Sequence, residues 1–184
     1  MLRTSVWLTV LIAIVAGCSF TLKARAADPL KPGASAPDFS LPSQEDAQVT
    51  LSQFKGKWVV LYFYPKDMTK GCTIEAHNFQ RDQAKFDADN AVILGVSVDT
   101  PDSHKEFCTK EGLTFRLLAD PAHKVVDEYG SLGHFGPMTI ANRNTFLIDP
   151  QGNIAKVWTK VNPTESASEV LAVLPNKGST IKAD

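Results

Sequence analysis

The 184-residue sequence has few cysteines, almost no net charge and no long apolar run. Its three cysteines, Cys18, Cys72 and Cys108, are too few for a disulfide-framework miniprotein, and none of them forms a CxxC pair. Nineteen Lys and Arg residues against twenty Asp and Glu residues give a net charge of −1, so we expect no nucleic-acid partner. Hydrophobic residues make up 43% of the chain, which excludes a wholly disordered or fibrous protein and predicts one ordinary domain.

The most apolar segment lies at the N-terminus. Arg3 precedes Val6–Ala16, an uncharged run that is too short to span a bilayer comfortably but suits the hydrophobic region of a secretory signal. A short core helix is the alternative, but such a helix should have one polar face and this run has none. We therefore expect residues 1–26 to be an export signal.

Two cleavage sites compete in this signal. Residues 24–26 read Ala-Arg-Ala, the form of an ordinary signal-peptidase site, whereas residues 15–18 read Val-Ala-Gly-Cys, similar to a bacterial lipobox. The lipobox would make Cys18 the lipidated first residue, so any membrane contact would come through that anchor. With either site we expect an exported protein, periplasmic or anchored to the cell envelope, whose thiol chemistry depends on Cys72 and Cys108.

Strand and helix patterns alternate between residues 38 and 175. Four segments have the composition of strands: Lys57–Tyr64, Ala91–Val98, Asn144–Ile148 and Ile154–Trp158. Four others have helical patterns or end signals: Thr73–Phe86, Pro101–Glu111, Pro121–Tyr129 and Glu165–Leu174. The alternation predicts an α/β domain over residues 38–175 with a mixed central sheet flanked by helices. A linker with little fixed structure is expected at 27–37 and a frayed tail at 176–184.

The stretch from Tyr62 to Thr73 carries the strongest functional signal. A buried strand ends near Pro65, a polar loop follows, and Cys72 lies at the start of a helix. Catalytic groups gather at the carboxyl ends of strands in open α/β sheets, and a helix N-terminus favours a thiolate. Thr69 lies where its hydroxyl could hydrogen-bond the sulfur or a bound oxygen. These features fit a nucleophilic cysteine, and on their own they fit a buried structural cysteine equally well.

The motif Pro65-x-x-x-Thr69-x-x-Cys72 resembles the active-site motif of peroxiredoxins. The wider FYPKDMTKGCTIEA is similar to the bacterioferritin comigratory protein, or Q-type, branch, and the similarity extends over roughly residues 31–174. The resemblance implies a thioredoxin-like fold and a thiol peroxidase that needs no cofactor or metal. Such an enzyme would reduce hydrogen peroxide and organic hydroperoxides in antioxidant defence.

The resemblance also implies roles for single residues. Cys72 would be the peroxidatic residue, which peroxide oxidises to a sulfenic acid. Thr69 and the backbone N–H groups of Gly71 and Cys72 would hold the peroxide oxygens, and Pro65 would shield the thiolate from water. Arg143 matches the family arginine that contacts the thiolate and the peroxide. Thioredoxin or a thioredoxin-like exported protein would be the reductant, and the branch is often monomeric.

The sequence departs from the commonest pattern of this branch at one position. Many members have a second cysteine five residues after the first, but here that residue is His77. The resemblance then implies that Cys108 is the resolving cysteine; a small buried residue in a one-Cys enzyme is the alternative. We expect His77 on the helix surface rather than in a metal site with Cys72, because residues five apart do not share a helical face and no third ligand is evident. The remaining histidines have no spacing typical of a cluster.

Two other function classes are consistent with an exported α/β protein. A thiol-disulfide oxidoreductase of the same fold would have a CxxC pair, which this sequence lacks. A metal-binding lipoprotein would need a CxxxC pair with a distant histidine, but Ala76 stands four residues after Cys72 and cannot bind a metal.

Overall fold

The computed structural model describes residues 27–175. The expected export signal with Cys18 and the expected tail at 176–184 lie outside the described residues, and both stay predictions. Within residues 27–175 the elements are, in order, β1 (Ser40–Pro42), β2 (Gln48–Thr50), a 3₁₀ turn (Leu51–Phe54), β3 (Trp58–Phe63), α1 (Lys70–Ala88), β4 (Ala91–Ser97), α2 (Pro101–Glu111), β5 (Arg116–Ala119), α3 (Lys124–Glu128), β6 (Leu132–Phe135), β7 (Met138–Ala141), β8 (Asn144–Ile148), β9 (Ile154–Thr159) and α4 (Ser166–Leu171).

Five strands form the central sheet in the order β5-β4-β3-β8-β9. The strands β3, β4 and β5 are parallel, whereas β8 and β9 run antiparallel on the other side of β3. The pairs β1–β2 and β6–β7 form separate two-stranded ribbons. This arrangement confirms the predicted α/β class with a mixed sheet.

The sheet separates two clusters of buried side chains, and alternate residues of β3 contribute to each. Val59, Leu61 and Phe63 pack with β1, β2 and α3, whereas Val60 and Tyr62 pack with α1, α2 and α4. Fully burying one large apolar side chain contributes roughly 1.5–3 kcal/mol, so both clusters stabilise the domain. Both described cysteines belong to the second cluster, on the face covered by α1 and α2.

The predicted helix ends are confirmed for α2 and differ elsewhere. Thr100 caps α2 by accepting a hydrogen bond from the Ser103 N–H at 3.3 Å, and Gly112 ends it in the left-handed conformation. By contrast, α1 begins three residues earlier than predicted, and α3 begins only at Lys124. The reason for the late start of α3 is Asp120, whose carboxylate accepts from the N–H of Lys124 at 3.1 Å and thereby holds a turn over the residues between them.

The sequence patterns missed the shortest elements. The strand β5 and the two ribbons consist of strands of three or four residues. Such segments are too short to show a reliable hydrophobic period, and tertiary pairing decides their conformation. β5 extends the parallel part of the sheet beside β4, and the β6–β7 ribbon precedes β8.

The expected linker at 27–37 has fixed structure, contrary to the prediction of little order. The Gly33 N–H donates to the Ile154 carbonyl and the Ile154 N–H donates to the Ala34 carbonyl, both at 2.8 Å. The hydroxyl of Tyr129 donates to the Pro37 carbonyl at 2.7 Å. The segment therefore continues antiparallel to the start of β9, because that strand offers unpaired backbone groups there.

Candidate active site

Cys72 lies in the first turn of α1, directly after the loop that follows β3. Its side chain is 2% exposed, and the helix has Thr69 at its N-cap. The first helical hydrogen bond of the N-terminal turn runs from the Thr73 N–H to the Thr69 carbonyl at 2.9 Å. The backbone N–H groups of Gly71 and Cys72 precede that bond and have no partner within the helix, so they can donate to a bound oxygen.

Arg143 is brought to Cys72 by the antiparallel pairing of β3 and β8. In that register Phe63 lies opposite Asn144, so the residue before β8 lies next to the end of β3. The guanidinium Nη2 of Arg143 lies 3.3 Å from the Cys72 sulfur. Because a guanidinium stays charged at neutral pH, it places a fixed positive charge beside the Cys72 sulfur. The structure thus brings together Cys72 and Arg143, the cysteine and the arginine to which the family resemblance assigned roles.

The other nitrogen of the same guanidinium donates to Glu75, which the sequence analysis did not identify. Glu75 lies three residues after Cys72 on α1 and is fully buried, with Oε1 unpartnered. Burial raises the pKa of Glu75 to about 7, although the charge and hydrogen bonds of Arg143 lower it. Burial lowers the pKa of Arg143, but the nearby Glu75 and Cys72 outweigh it and raise that pKa overall. The positive charge of Arg143 therefore interacts with both the Glu75 carboxylate and the Cys72 sulfur.

The remaining predicted site residues surround this pair. The hydroxyl of Thr69 donates to the Lys66 carbonyl at 2.9 Å rather than to the sulfur of Cys72. Pro65 is half-buried and lines a surface pocket beside Met138 of the β6–β7 ribbon. A Cβ atom at Gly71 would lie 3.3 Å from the Arg143 Nη2, so the absence of a side chain there lets the guanidinium approach.

Cys108 is on α2 and is not bonded to Cys72: both thiols are free. It is 8% exposed and lines a surface groove with Glu45 and Lys105. Burial, together with the negative charges of Asp67 and Glu45, raises the pKa of the Cys108 thiol to about 12. A thiol with this pKa is a poor nucleophile at neutral pH until a base removes its proton or its surroundings change.

A buried polar cluster links the loop before α1 to the first turn of α2. The Asp67 carboxylate lies 2.8 Å from the Nδ1 of His104 and accepts from the Ser103 hydroxyl and the Tyr64 hydroxyl, both at 2.7 Å. The Asp67 N–H donates to Asp99 at 2.9 Å. Sequence reasoning missed this cluster because His104 lies in a polar-looking helix and has no periodic partner.

His77 is half-exposed and its Nε2 lies 3.0 Å from Glu111 at the end of α2. The prediction of a surface position for His77 is confirmed. Among residues 27–175, no group of three or more His, Cys, Asp or Glu side chains is placed to hold a metal ion. Within the same residues, no helix is long and apolar enough to cross a membrane.

Known proteins share this sequence and this fold. Residues 32–157 match the model of the AhpC/TSA family. Peroxiredoxin Bcp of Bacillus subtilis is 42% identical over 146 residues, which are 77% of this chain and 93% of that protein. Peroxiredoxin Bcp of Escherichia coli K12 is 40% identical over 135 residues, covering 71% of this chain and 86% of that protein.

Solved structures agree with these relatives. The crystal structure of a PrxQ mutant from Xylella fastidiosa has a TM-score of 0.75 at 32% identity and covers 79% of this chain and 96% of its own. A Xanthomonas campestris bacterioferritin comigratory protein has a TM-score of 0.73 at 34% identity, and the match covers 78% of this chain and 97% of that protein. It was solved in trapped intermediate and ligand complexes that concern alkyl peroxide reduction. The expected thioredoxin-like fold is confirmed. Xanthomonas campestris peroxiredoxin Q was solved with serine in place of each of two cysteines, which are as far apart in its sequence as Cys72 and Cys108 are here.

The family model covers most of the described chain, and the curated relatives match along most of their own length. The chain therefore belongs to the AhpC/TSA family of peroxiredoxins, in the Bcp or PrxQ group.

Proposed function

We propose that Cys72 is the residue through which this chain, a thiol-dependent peroxidase, reduces peroxides. The observation that carries the assignment is the Arg143 guanidinium, 3.3 Å from a sulfur that is almost fully buried at a helix N-terminus. The Cys72 thiolate attacks one peroxide oxygen, so that an S–O bond forms while the O–O bond breaks. The departing oxygen takes a proton and leaves as water or an alcohol, and Cys72 becomes a sulfenic acid.

The groups around Cys72 stabilise the charge that moves during this step. Arg143, whose Nη2 lies 3.3 Å from the sulfur, can donate to the peroxide oxygens, and so can the backbone N–H groups of Gly71 and Cys72, which have no partner within the helix. Thr69 can turn its hydroxyl from the Lys66 carbonyl to a bound oxygen, because a hydroxyl both donates and accepts. Pro65 restricts the loop and excludes water from one side.

Cys108 is proposed to resolve the sulfenic acid as an internal disulfide. Two observations support this role: Cys108 lies in the same buried cluster as Cys72, and the sequence distance between the two matches that between the substituted cysteines of the Xanthomonas campestris protein. Both cysteines lie within intact helices, and a disulfide requires Cα atoms within roughly 7 Å. Resolution therefore requires local opening of a helix start or end.

We propose a thioredoxin-type reductant and a location outside the cytoplasm for this enzyme. A thioredoxin-type reductant would return the disulfide to two thiols, and hydrogen peroxide and organic hydroperoxides would be the substrates. The segment 1–26 supports an exported protein, either free in the periplasm or anchored through a lipid on Cys18. The mature chain would act as a monomer. Intact mass of the purified protein and sedimentation would decide cleavage site, lipidation and oligomeric state.

Peroxide consumption by purified protein, with thioredoxin and its reductase supplied in excess, tests the assignment. We expect Cys72→Ser to abolish turnover while circular dichroism and thermal unfolding stay close to wild type. A matched control is Cys108→Ser, which should retain the first oxidation by peroxide. If Cys72→Ser reduced hydrogen peroxide at close to the wild-type rate, Cys72 would not be the peroxidatic residue.

A further inference from the structure

We propose that His104 is the base that removes the thiol proton of Cys108 during resolution, and that Asp67 positions His104 for this task. The inference rests on the proposed role of Cys108 as the resolving residue and adds a further catalytic residue to that step. His104 is a buried histidine that the peroxide step does not use.

His104 combines full burial with an unpartnered nitrogen. The side chain is 0% exposed, and its Nδ1 lies 2.8 Å from the Asp67 carboxylate. Because a carboxylate only accepts, Nδ1 carries the hydrogen, so the tautomer that can act as a base has its lone pair at Nε2. That Nε2 is buried and has no hydrogen-bond partner. A buried acceptor of this kind costs stability unless the protein uses it, so it requires an explanation.

The ionisation of Asp67 suits the role of a positioning residue. Burial opposes its charge, but hydrogen bonds from His104, Tyr64 and Ser103 outweigh burial and keep the pKa of Asp67 below its ordinary value. The carboxylate is therefore ionised at neutral pH. An ionised carboxylate on Nδ1 fixes the tautomer and stabilises the imidazolium that forms when Nε2 takes a proton.

Cys108 is the nucleophile that this pair can serve. His104, Phe107 and Cys108 are the buried residues of α2, so they share the face that packs on the sheet. Side chains four residues apart on a helix have Cβ atoms about 6 Å apart, so His104 and Cys108 are neighbours in successive turns. The negative charge of Asp67 also contributes to the raised pKa of the Cys108 thiol, after burial.

The Cys108 thiol needs a base because its pKa is about 12. Nucleophile, base and a third group that orients the base form the general arrangement of activated nucleophiles. Resolution requires the start of α1 to open, and the hydrogen bonds of Asp67 with Ser103 and His104 can hold Asp67 on α2 during that opening. Met68, which follows Asp67, has φ of 60°, a conformation that residues other than glycine rarely adopt.

The step balances without any further reagent. The Nε2 of His104 accepts the Cys108 thiol proton, and the Cys108 sulfur forms a bond with the Cys72 sulfur. The S–O bond of the sulfenic acid breaks, and the hydroxyl leaves with the proton returned by His104. The products are one disulfide, one water molecule and neutral His104.

The experiment separates the two half-reactions by rapid mixing with one equivalent of hydrogen peroxide, alkylation at timed intervals and mass spectrometry. His104→Asn keeps a donor that can reach Asp67 but removes the base. We expect the first oxidation to stay within about twofold, while formation of the Cys72–Cys108 bridge slows by on the order of 10²–10⁴-fold at neutral pH. The bridge rate of the variant should rise about tenfold per pH unit as hydroxide takes over the removal of the thiol proton, whereas that of the wild type should depend less steeply on pH.

Other ionisable groups lie around His104 and Cys108 and can contribute to this pH profile: Tyr62, Tyr64, Asp67, Asp99, Glu45 and Lys105. Asp67→Asn tests the most important of them, because it leaves the base in place but removes the charge that fixes its tautomer. We expect this variant to slow bridge formation as well, with a similar rise at high pH. Retention of the fast first oxidation in either variant shows that the site is folded.

Thr109→Ala is the matched control, because Thr109 is exposed on the same helix next to Cys108 and its hydroxyl donates to the Lys105 carbonyl at 2.7 Å rather than to His104 or Asp67. It should form the bridge within about twofold of the wild-type rate. If the cluster were only a tie between the loop and α2, His104→Asn and Asp67→Asn would both loosen α2 and speed bridge formation, and that result would overturn the proposal. An unchanged bridge rate in His104→Asn would overturn it too, whereas a wild type that forms no bridge would remove the resolving role of Cys108 itself.

Discussion

The guanidinium of Arg143 lies 3.3 Å from the sulfur of Cys72, although the two residues are 71 positions apart in the sequence. The contact exists because β8 pairs antiparallel with β3, the strand that leads to Cys72. The same guanidinium donates to Glu75, so one positive charge serves both a buried carboxylate and the reactive thiol. The reaction of Cys72 and the pKa of Glu75 therefore both depend on the position of this guanidinium.

Removing the arginine should slow the reaction with peroxide. In Arg143→Ala the thiolate and the breaking O–O bond lose a fixed positive charge, and such a loss typically costs on the order of 10²–10³-fold in rate. Stopped-flow oxidation by hydrogen peroxide measures this rate. Arg116→Ala, at an exposed arginine of β5, is the control and should leave the rate unchanged; the same result for Arg143→Ala would contradict its role.

Glu75 should make the stability of the protein depend on pH. Its pKa is 4.5 in an unfolded chain and about 7 in the folded one, so the folded state holds a proton that the unfolded state releases between these values. The free energy of unfolding should fall as the pH rises from about 4.5 to 7, by up to about 3 kcal/mol. Glu75→Gln should remove most of this decline in denaturant titrations at several pH values.

The exposed Glu106 on α2 provides the control for this measurement. Glu106→Gln should leave the pH dependence as in the wild type, because an exposed carboxylate meets similar surroundings in both states. A decline of the same size in Glu75→Gln would mean that another group takes up the proton on folding.

The sequence predicted the local part of the site and missed the part that tertiary packing creates. Pro65, Thr69 and Cys72 lie within one loop and helix start, so a short motif was enough to find them. Arg143 was identified only through the family resemblance, since a lone arginine before a strand carries no signal of its own. Its position follows from strand pairing, which local patterns do not specify.

Glu75 and His104 show why the rest could not be predicted. Each is a polar residue in a helix, and such residues usually face solvent. Here both side chains are fully buried, because α1 and α2 direct these positions towards the sheet. A polar partner lies next to each of them: Arg143 beside Glu75, and Asp67 beside His104. Their burial depends on residues far away in the sequence, so no helical period could reveal it.

We expect Gly71→Ala to preserve the thermal stability of the protein but to slow the oxidation of Cys72 by peroxide. A Cβ there would lie 3.3 Å from the Arg143 Nη2 and 3.7 Å from Pro163, so the guanidinium must shift by a few tenths of an ångström. A misplacement of about 1 Å can cost about 10²-fold in rate, so we expect Gly71→Ala to slow oxidation on the order of tenfold. Helix propensity favours alanine, so thermal stability should be unchanged or higher.

A double-mutant cycle tests the cause of that loss. In an Arg143→Ala background the shifted guanidinium is absent, so Gly71→Ala should have almost no further effect on the oxidation rate. Additive losses would show that the methyl group acts on the backbone donors or on the peroxide instead.

Cys108→Ser decides whether this enzyme resolves its own sulfenic acid. The substitution leaves Cys72 and Arg143 in place, so the first oxidation should stay within about twofold of the wild-type rate. No internal bridge can form, and turnover with thioredoxin should fail, because no disulfide is presented to the reductant.

Under excess peroxide the Cys72 sulfenic acid of this variant should proceed to the sulfinic form, since nothing traps it. Intact mass would show the added oxygens, and non-reducing peptide mapping would show the bridge in the wild type alone. Normal turnover of Cys108→Ser with thioredoxin, together with a wild type that forms no bridge, would identify a one-Cys enzyme in which Cys108 only fills the core beneath α2.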